Sequence, residues 1–376
     1  MITKDLRLSL ARAAAAAGLG PAVDPGLRPT GTPGQYAASV ALQSAPANPR
    51  ETAQRIATAL AREPWIATTD VTGPGYLTLT VTNEALVSVA DRVIQAGPAC
   101  LTSNALAQRP VPAPPPGDPL TAATWEKARA ALAAQLTARL AAAAGAPVTN
   151  PRAAERSRPA LPAHPYSPGG PAPSPVTQAV AFAGPDAVTF TLARAIPGKQ
   201  LRVDPLVIAR RVPGNPAYAV RYAHARAASG LRWVASFPAS AAGVPCLPAG
   251  PRELALLDAL SWLPERVVTA ARRDRPDEFA RYLEELASVT VEVLIAAPHP
   301  GNVATPGSDR LTLAEAARTG LAAGLGLLGV SAPERLLAEM YKGADSEPCR
   351  PPGWAASWGR AARRPPADAA GRPERT

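Results

Sequence analysis

Two short runs, Asn48-Pro49-Arg50-Glu51 and Tyr76-Leu77-Thr78-Leu79-Thr80-Val81, decide how the amino-terminal part of this chain folds. Asn48 has a capping side chain, Pro49 suits the first helical position, and Glu51 falls where a capping-box carboxylate reaches back. Ala53, Ile56, Ala57 and Leu60 then recur at helical spacing, which predicts one buried face and leaves Arg55 and Arg62 outside. A strand over Thr68–Val71, a turn at Gly73-Pro74-Gly75, and the strict alternation of residues 76–81 complete a half-buried hairpin. Its Leu77, Leu79 and Val81 point to the core and its Tyr76, Thr78 and Thr80 point away. A second helix follows with Leu86, Val89, Val93 and Ile94 inward.

Working outward, the start from Met1 to Val23 loosely imitates a signal peptide. Asp5 and Arg12 interrupt the apolar stretch, so it reads as a soluble amphipathic helix. From Arg109 to about Pro175 the composition turns to proline and alanine, as in a linker. Inside it, Thr124 to Ala144 carries Leu132, Leu136 and Leu140 on a narrow seam, the pattern of a docking helix or an isolated spacer. Beyond Val176 the pattern is nearly all helical. One long helix runs from Asn215, and another from Arg252 to Arg273 is perturbed by Pro264. A third, Asp277 to Ala297, sets Tyr282, Leu286, Val289 and Val293 on one face. A fourth opens with a capping box at Thr312-Leu313-Ala314-Glu315 and stops at Gly329.

The fold class is therefore α+β. Residues 1–108 form a small α/β domain, 109–175 a Pro/Ala-rich linker with one helix, 176–337 an all-α bundle, and 338–376 a disordered basic tail. At about 150 residues per domain, 376 residues agree with that division.

Composition bounds the chemistry. Lys plus Arg number 39 against 29 Asp plus Glu, a net charge of +10 that attracts anions. Much of the apolar content is alanine, and the Ala, Pro and Arg bias is that of a GC-rich genome, which inflates the charge as well. Cys100, Cys246 and Cys349 form no CxxC pair, and His164, His224 and His299 are scattered. That excludes a zinc site and a disulfide framework and fits a reducing cytoplasm. No apolar run reaches the roughly 18 residues of a membrane span. Nothing calls for a metal or cofactor.

At 100° per residue, Tyr218, Tyr222, Arg226, Ser229 and Trp233 share a sector of about 80° on the first bundle helix. Aromatic rings and arginine on one stripe can stack unpaired bases and pair with phosphates, and the same stripe can equally face a partner helix. His224 reads as a hydrogen-bonded structural residue, and Glu284-Glu285 as solvated helix face. Tyr76 and Thr78, beside the Gly73 turn, pose the same choice between base platform and ordinary strand.

Taken in order, Gly34-Gln35-Tyr36-Ala37-Ala38, Asn48-Pro49-Arg50-Glu51 and Gly73-Pro74-Gly75-Tyr76 resemble the amino-terminal add-on domain of class I arginyl-tRNA synthetases. Gly184-Pro185-Asp186-Ala187-Val188, Asp204, Asn215-Pro216-Ala217-Tyr218, Tyr222-Ala223-His224-Ala225-Arg226 and residues 328–336 resemble that family's DALR anticodon-binding bundle. The resemblance covers roughly 1–105 and 180–337. It implies contact of Gly73, Tyr76 and Thr78 with a tRNA D-loop, and of Tyr222 and Arg226 with an anticodon loop, where Tyr218 and Trp233 of the same stripe are further candidates. The family usually has Asp at Gln35, Phe at Tyr76, an aromatic at Ala219 and Met at Leu336.

The family places its catalytic core between these two domains, with HIGH and KMSKS-like signatures. Here only linker-like residues stand between Arg109 and Gly184, His164-Pro165-Tyr166 is no HIGH motif, and four lysines in the whole chain make no KMSKS-like loop. The leading reading is thus a non-catalytic relative that binds tRNA or a tRNA-like RNA. Its rivals are a protein–protein scaffold or synthetase accessory protein, separable by pull-down with RNase, and an active arginine–tRNA ligase.

Overall fold

A computed structural model describes residues 1–20, 24–43, 48–149, 173–235, 250–295 and 308–336, with side chains omitted at 233–235 and 308–309. The tail expected at 338–376 lies outside the described residues. The architecture is α+β.

The amino-terminal part comprises α1 (Ile2–Ala16), β1 (Arg28–Pro29), β2 (Gln35–Ala38), α2 (Val40–Gln43), α3 (Pro49–Leu60), β3 (Ile66–Thr72), β4 (Tyr76–Val81) and α4 (Asn83–Ala96). The four strands form one antiparallel sheet in the order β1-β2-β4-β3. Asn48 caps α3, its Oδ1 accepting from the Glu51 amide at 3.4 Å. Its Nδ2 donates to the Glu51 carboxylate at 3.1 Å, so Asn48 and Glu51 bond side chain to side chain. Leu77, Leu79 and Val81 are buried as the alternation requires, while Tyr76 is exposed.

A connecting stretch holds β5 (Val111–Pro112), α5 (Trp125–Ala143) and β6 (Val148–Thr149), with β5 and β6 paired in parallel. The α5 seam Leu132, Leu136 and Leu140 is buried, and the helix packs on α7 (Pro185–Arg194) and α11 (Leu263–Arg272), so it docks. Its carboxyl end is clamped. The Ser103 and Leu106 amides donate to the carbonyls of Ala143 and Ala144, each at 2.9 Å. Gly145 then turns with φ +90°, and a Cβ there would lie 2.7 Å from the Ser103 carbonyl oxygen. Glycine is the residue that fits such a turn.

The helical part runs from α6 (Pro175–Ala183) through α7, α8 (Pro205–Ile208), α9 (Pro216–Ala235), α10 (Pro251–Ser261), α11, α12 (Pro276–Ile295) and α13 (Ser308–Leu328). The helix expected over 252–273 is two helices that break at Trp262, because Pro264 at the second position of α11 has no N–H to continue the ladder. The fourth bundle helix starts at Ser308, a turn earlier than expected. Thr312 is thus internal to it, and Glu315 pairs with Arg318 at 2.5 Å. Gly324 on α13 lies so close to α12 that a Cβ would meet Leu283 Cδ2 at 2.4 Å, which makes it a packing residue. Residues 1–336 form one compact unit.

Sheet and bundle meet through α1, α4 and β2. The Tyr36 ring is fully buried and lies 5.6 Å from the Trp262 ring. Its hydroxyl donates to Asp258 Oδ1 at 2.7 Å, and the Gly34 amide donates to the same oxygen at 3.3 Å. Arg7 on α1 forks onto the buried Glu265, with Nε on Oε1 at 2.7 Å, and also reaches Asp24 at 3.1 Å. Arg272 pairs with Asp24 from the other side, and Thr3 donates to the Ser261 carbonyl.

Tyr36→Phe keeps the ring and removes the hydroxyl donor, leaving the Asp258 carboxylate with one partner fewer. A hydrogen bond to a charged group is worth about 1.5–3 kcal/mol, and the urea-unfolding free energy falls by that amount. A loss within about 0.5 kcal/mol, the range of an ordinary surface change, rules this joint out as a stability element.

Candidate nucleic-acid interface

The loop before α9 is fastened first. The buried Asn215 amide donates to the carbonyls of Ile208 and Arg210, both at 2.7 Å, and Pro216 opens the helix. Ala217, Val220, Ala223, His224, Ala227 and Ala228 form the buried stripe of α9, which packs on α12 and α13. That orientation turns Tyr218, Tyr222, Arg226 and Ser229 outward. Tyr218 and Tyr222 are half-buried, and Arg226 and Ser229 are exposed. The two tyrosine rings stack with centroids 5.8 Å apart and planes 24° from parallel. Trp233 falls in the last described turn of α9, and its side chain lies outside the described residues.

The segment after α13 is strapped along the same helix. Asp186, in the first turn of α7, accepts the Ser331 amide at 2.9 Å and the Ser331 hydroxyl at 2.5 Å. The same carboxylate pairs with Arg221 of α9 at 3.0 Å. His224 is buried with Nδ1 3.0 Å from the Pro333 carbonyl oxygen, and burial holds its pKa below the ordinary value. Its role is structural. Glu334 lies 3.8 Å from Arg232 and 3.6 Å from Arg318. Leu336, the last described residue, is half-buried.

The second group of residues sits on the β3–β4 hairpin. Gly73 is exposed at the turn, Tyr76 is 49% exposed, and Thr78 is half-buried opposite Ala37 on one side and Asp70 on the other. The outer face of this sheet is polar, with one carboxylate beside Thr78. α3 packs on β3, where Thr69 donates to the Ala57 carbonyl at 3.3 Å. The structure therefore brings Tyr218, Tyr222 and Arg226 together on α9 and Gly73, Tyr76 and Thr78 together on the hairpin, as two separate surfaces. Glu284, read from sequence as solvated, is half-buried and accepts from Arg194 at 2.5 Å. Arg221, which shares the Asp186 carboxylate with Ser331, was not singled out by the sequence, because it lies outside the aromatic sector and its partners are far away along the chain.

Known proteins share these parts. A family model described as the DALR anticodon binding domain matches residues 220–336, and one described as the arginyl tRNA synthetase N terminal domain matches residues 3–81. The arginine–tRNA ligase of Frankia alni is 40% identical over 165 residues, 41% of this chain and 29% of that enzyme. That of Kineococcus radiotolerans is 37% identical over 164 residues, with the same 41% and 29% coverage. A solved arginyl-tRNA synthetase from Thermus thermophilus is 31% identical with a TM-score of 0.36, covering 45% of this chain and 29% of that chain. The chain spans about three-tenths of the length of the curated relatives it matches.

The His224 pKa gives the strap a pH signature. The unfolded chain takes up a proton near 6.5 and the folded one only below that. Stability from this site is therefore complete above pH 6.5 and is lost as the pH falls toward the lower folded value, by at most about 1.4 kcal/mol per pH unit. Thermal melts of the protein and of His224→Gln across that range diverge at neutral pH and converge on acidification. Parallel curves exclude His224 as the titrating group.

Proposed function

Because this chain carries the amino-terminal and anticodon-binding domains of the arginyl-tRNA synthetase family, we propose that it binds tRNA, or an RNA of tRNA shape, without aminoacylating it. The observation that carries this reading is the outward face of α9, where the stacked Tyr218 and Tyr222 pair and the exposed Arg226 stand within or beside the DALR-matching span. Stacking of a base on an aromatic side chain is worth about 1–3 kcal/mol and tolerates any base, because every base has a π-face. Arginine adds a planar partner for phosphate. The net charge of +10 supplies the sequence-independent attraction that gathers a polyanion before stacking selects.

On this reading Gly73, Tyr76 and Thr78 give a second contact on the hairpin, where the exposed Tyr76 offers a ring to an RNA loop. The stretch where the family holds its nucleotide-binding core contributes, among the described residues, the helices α5 and α6, a short 3-10 turn and a two-residue parallel ladder. The non-catalytic part of the proposal rests on the sequence, which carries no HIGH or KMSKS-like signature between the two domains. Among the described residues no helix is long and apolar enough to cross a membrane. A tRNA ligand is consistent with a cytoplasmic protein.

A mobility-shift titration with tRNA shows a complex that weakens steeply with salt. Tyr222→Ala and Arg226→Ala each weaken it by about 1–3 kcal/mol, and the change at the exposed Arg226 leaves the melting curve in place. Equal retention of tRNA and of heparin removes the specific claim. Arginine-dependent exchange of pyrophosphate into ATP establishes a ligase and overturns the non-catalytic reading.

A further inference from the structure

The face that joins α5, α7, α8 and the start of α9 holds a cavity of about 420 Å³, within the range of small-molecule sites. Five basic side chains line it: Arg129 from α5, Arg194 from α7, Lys199 and Arg202 from the following loop, and Arg281 from α12. No carboxylate is among the lining residues. Two of these cations are already neutralised, Arg194 by Glu284 at 2.5 Å and Arg281 by Asp277 at 3.8 Å. Arg129, Lys199 and Arg202 have no acidic partner among the described residues, and the last two are exposed.

The cavity is also built. Arg129 donates to the Lys199 carbonyl at 2.6 Å, and Arg281 donates to the Arg194 carbonyl at 3.5 Å, so the loop that carries Lys199 is fastened from α5 and from α12. Ile196, Leu201, Val207 and Ile208 add apolar lining, and Val207 remains 47% exposed. Asp204, the nearest acid along the chain, is engaged in capping α8 through the Leu206 amide at 2.9 Å. Three unneutralised cations and four apolar side chains lining one cavity fit a ligand with an anionic end and a flat, weakly polar body. Arginine recognises phosphate through its planar fork, and lysine adds a point charge.

We propose that this cavity binds a nucleotide, its phosphate held by Arg129, Lys199 and Arg202 and its base laid against Ile196, Leu201, Val207 and Ile208. The same chemistry comes from two sources, a free nucleoside phosphate or an unpaired nucleotide of a bound RNA, and the second source rests on the function proposed above. Apart from Arg281, the lining residues lie outside the two spans that the family models match, 3–81 and 220–336.

The test is calorimetric titration of the full chain with the four nucleoside 5′-monophosphates, the matching nucleosides, and inorganic phosphate. The Lys199→Glu, Arg202→Glu double variant is run beside it. Both side chains are exposed, and Arg129 grips the Lys199 carbonyl rather than its side chain, so the variant keeps its melting temperature. At least one monophosphate binds saturably, its nucleoside and inorganic phosphate bind more weakly, and the double reversal lowers its affinity at least about tenfold. Absence of saturable binding by all four monophosphates overturns the proposal, as does a double variant within about twofold of the parent. Inorganic phosphate binding as tightly as the nucleotides also overturns it, because the apolar lining then takes no part. Crosslinking with 4-thiouridine-substituted tRNA assigns the source. Adducts within residues 190–217 support the RNA strand, and monophosphate binding without such adducts supports a free nucleotide. Monophosphate binding by a chain that retains no tRNA sinks the proposed function and leaves this site standing.

Discussion

The Asp258 carboxylate, half-buried between sheet and bundle, constrains everything around it. Burial raises its pKa, and what offsets the cost of keeping a charge there is a pair of donors, the Tyr36 hydroxyl from β2 and the Gly34 amide just before it. Because β2 pairs with β4 in fixed register, seating Tyr36 on Asp258 also fixes the hairpin that carries Tyr76 and Thr78. Arg7, Glu265, Asp24 and Arg272 extend the same joint with an ion-pair chain. Two surfaces that the sequence assigns to different halves of the chain are thus held on one framework.

The alanine content that looks like compositional bias has a structural use in the bundle. Ala217, Ala223, Ala227 and Ala228 on α9 and Gly320 and Gly324 on α13 let helix backbones approach closely, and burial on that inner stripe leaves the tyrosines facing outward. The aromatic stripe thus splits from the buried one by the rotation of a single helix. The Asp186, Arg221 and Ser331 cluster then holds the residues after α13 against this helix, so the edge of the outward face is set by charge and not by apolar packing.

Local pattern made much of this visible in advance. The Asn48 cap, the alternation of residues 76–81, the leucine seam of α5 and the Gly329 stop each depend on a few neighbours in sequence, and each stands in the structure. The break at Trp262 and the early start of α13 were less legible, since a proline near a helix start and a capping pattern inside a helix read alike in one dimension. The Tyr36 joint left no signal, because a buried tyrosine and its carboxylate acceptor lie 222 positions apart. The basic cavity was invisible for the same reason, its cations coming from three stretches that meet only in the fold. Of the α9 face, spacing located Tyr218, Tyr222 and Arg226, and three-dimensional packing decided which way they point.

The clamp on α5 has an evolutionary reading. The ladder of Val111 with Val148, together with the amides of Ser103 and Leu106 on the end of the helix, ties both flanks of the segment to one place. Changes in length beyond Thr149 therefore cannot pull α5 out of register with its neighbours. The knot seats α5 on the framework through bonds made wholly before residue 150.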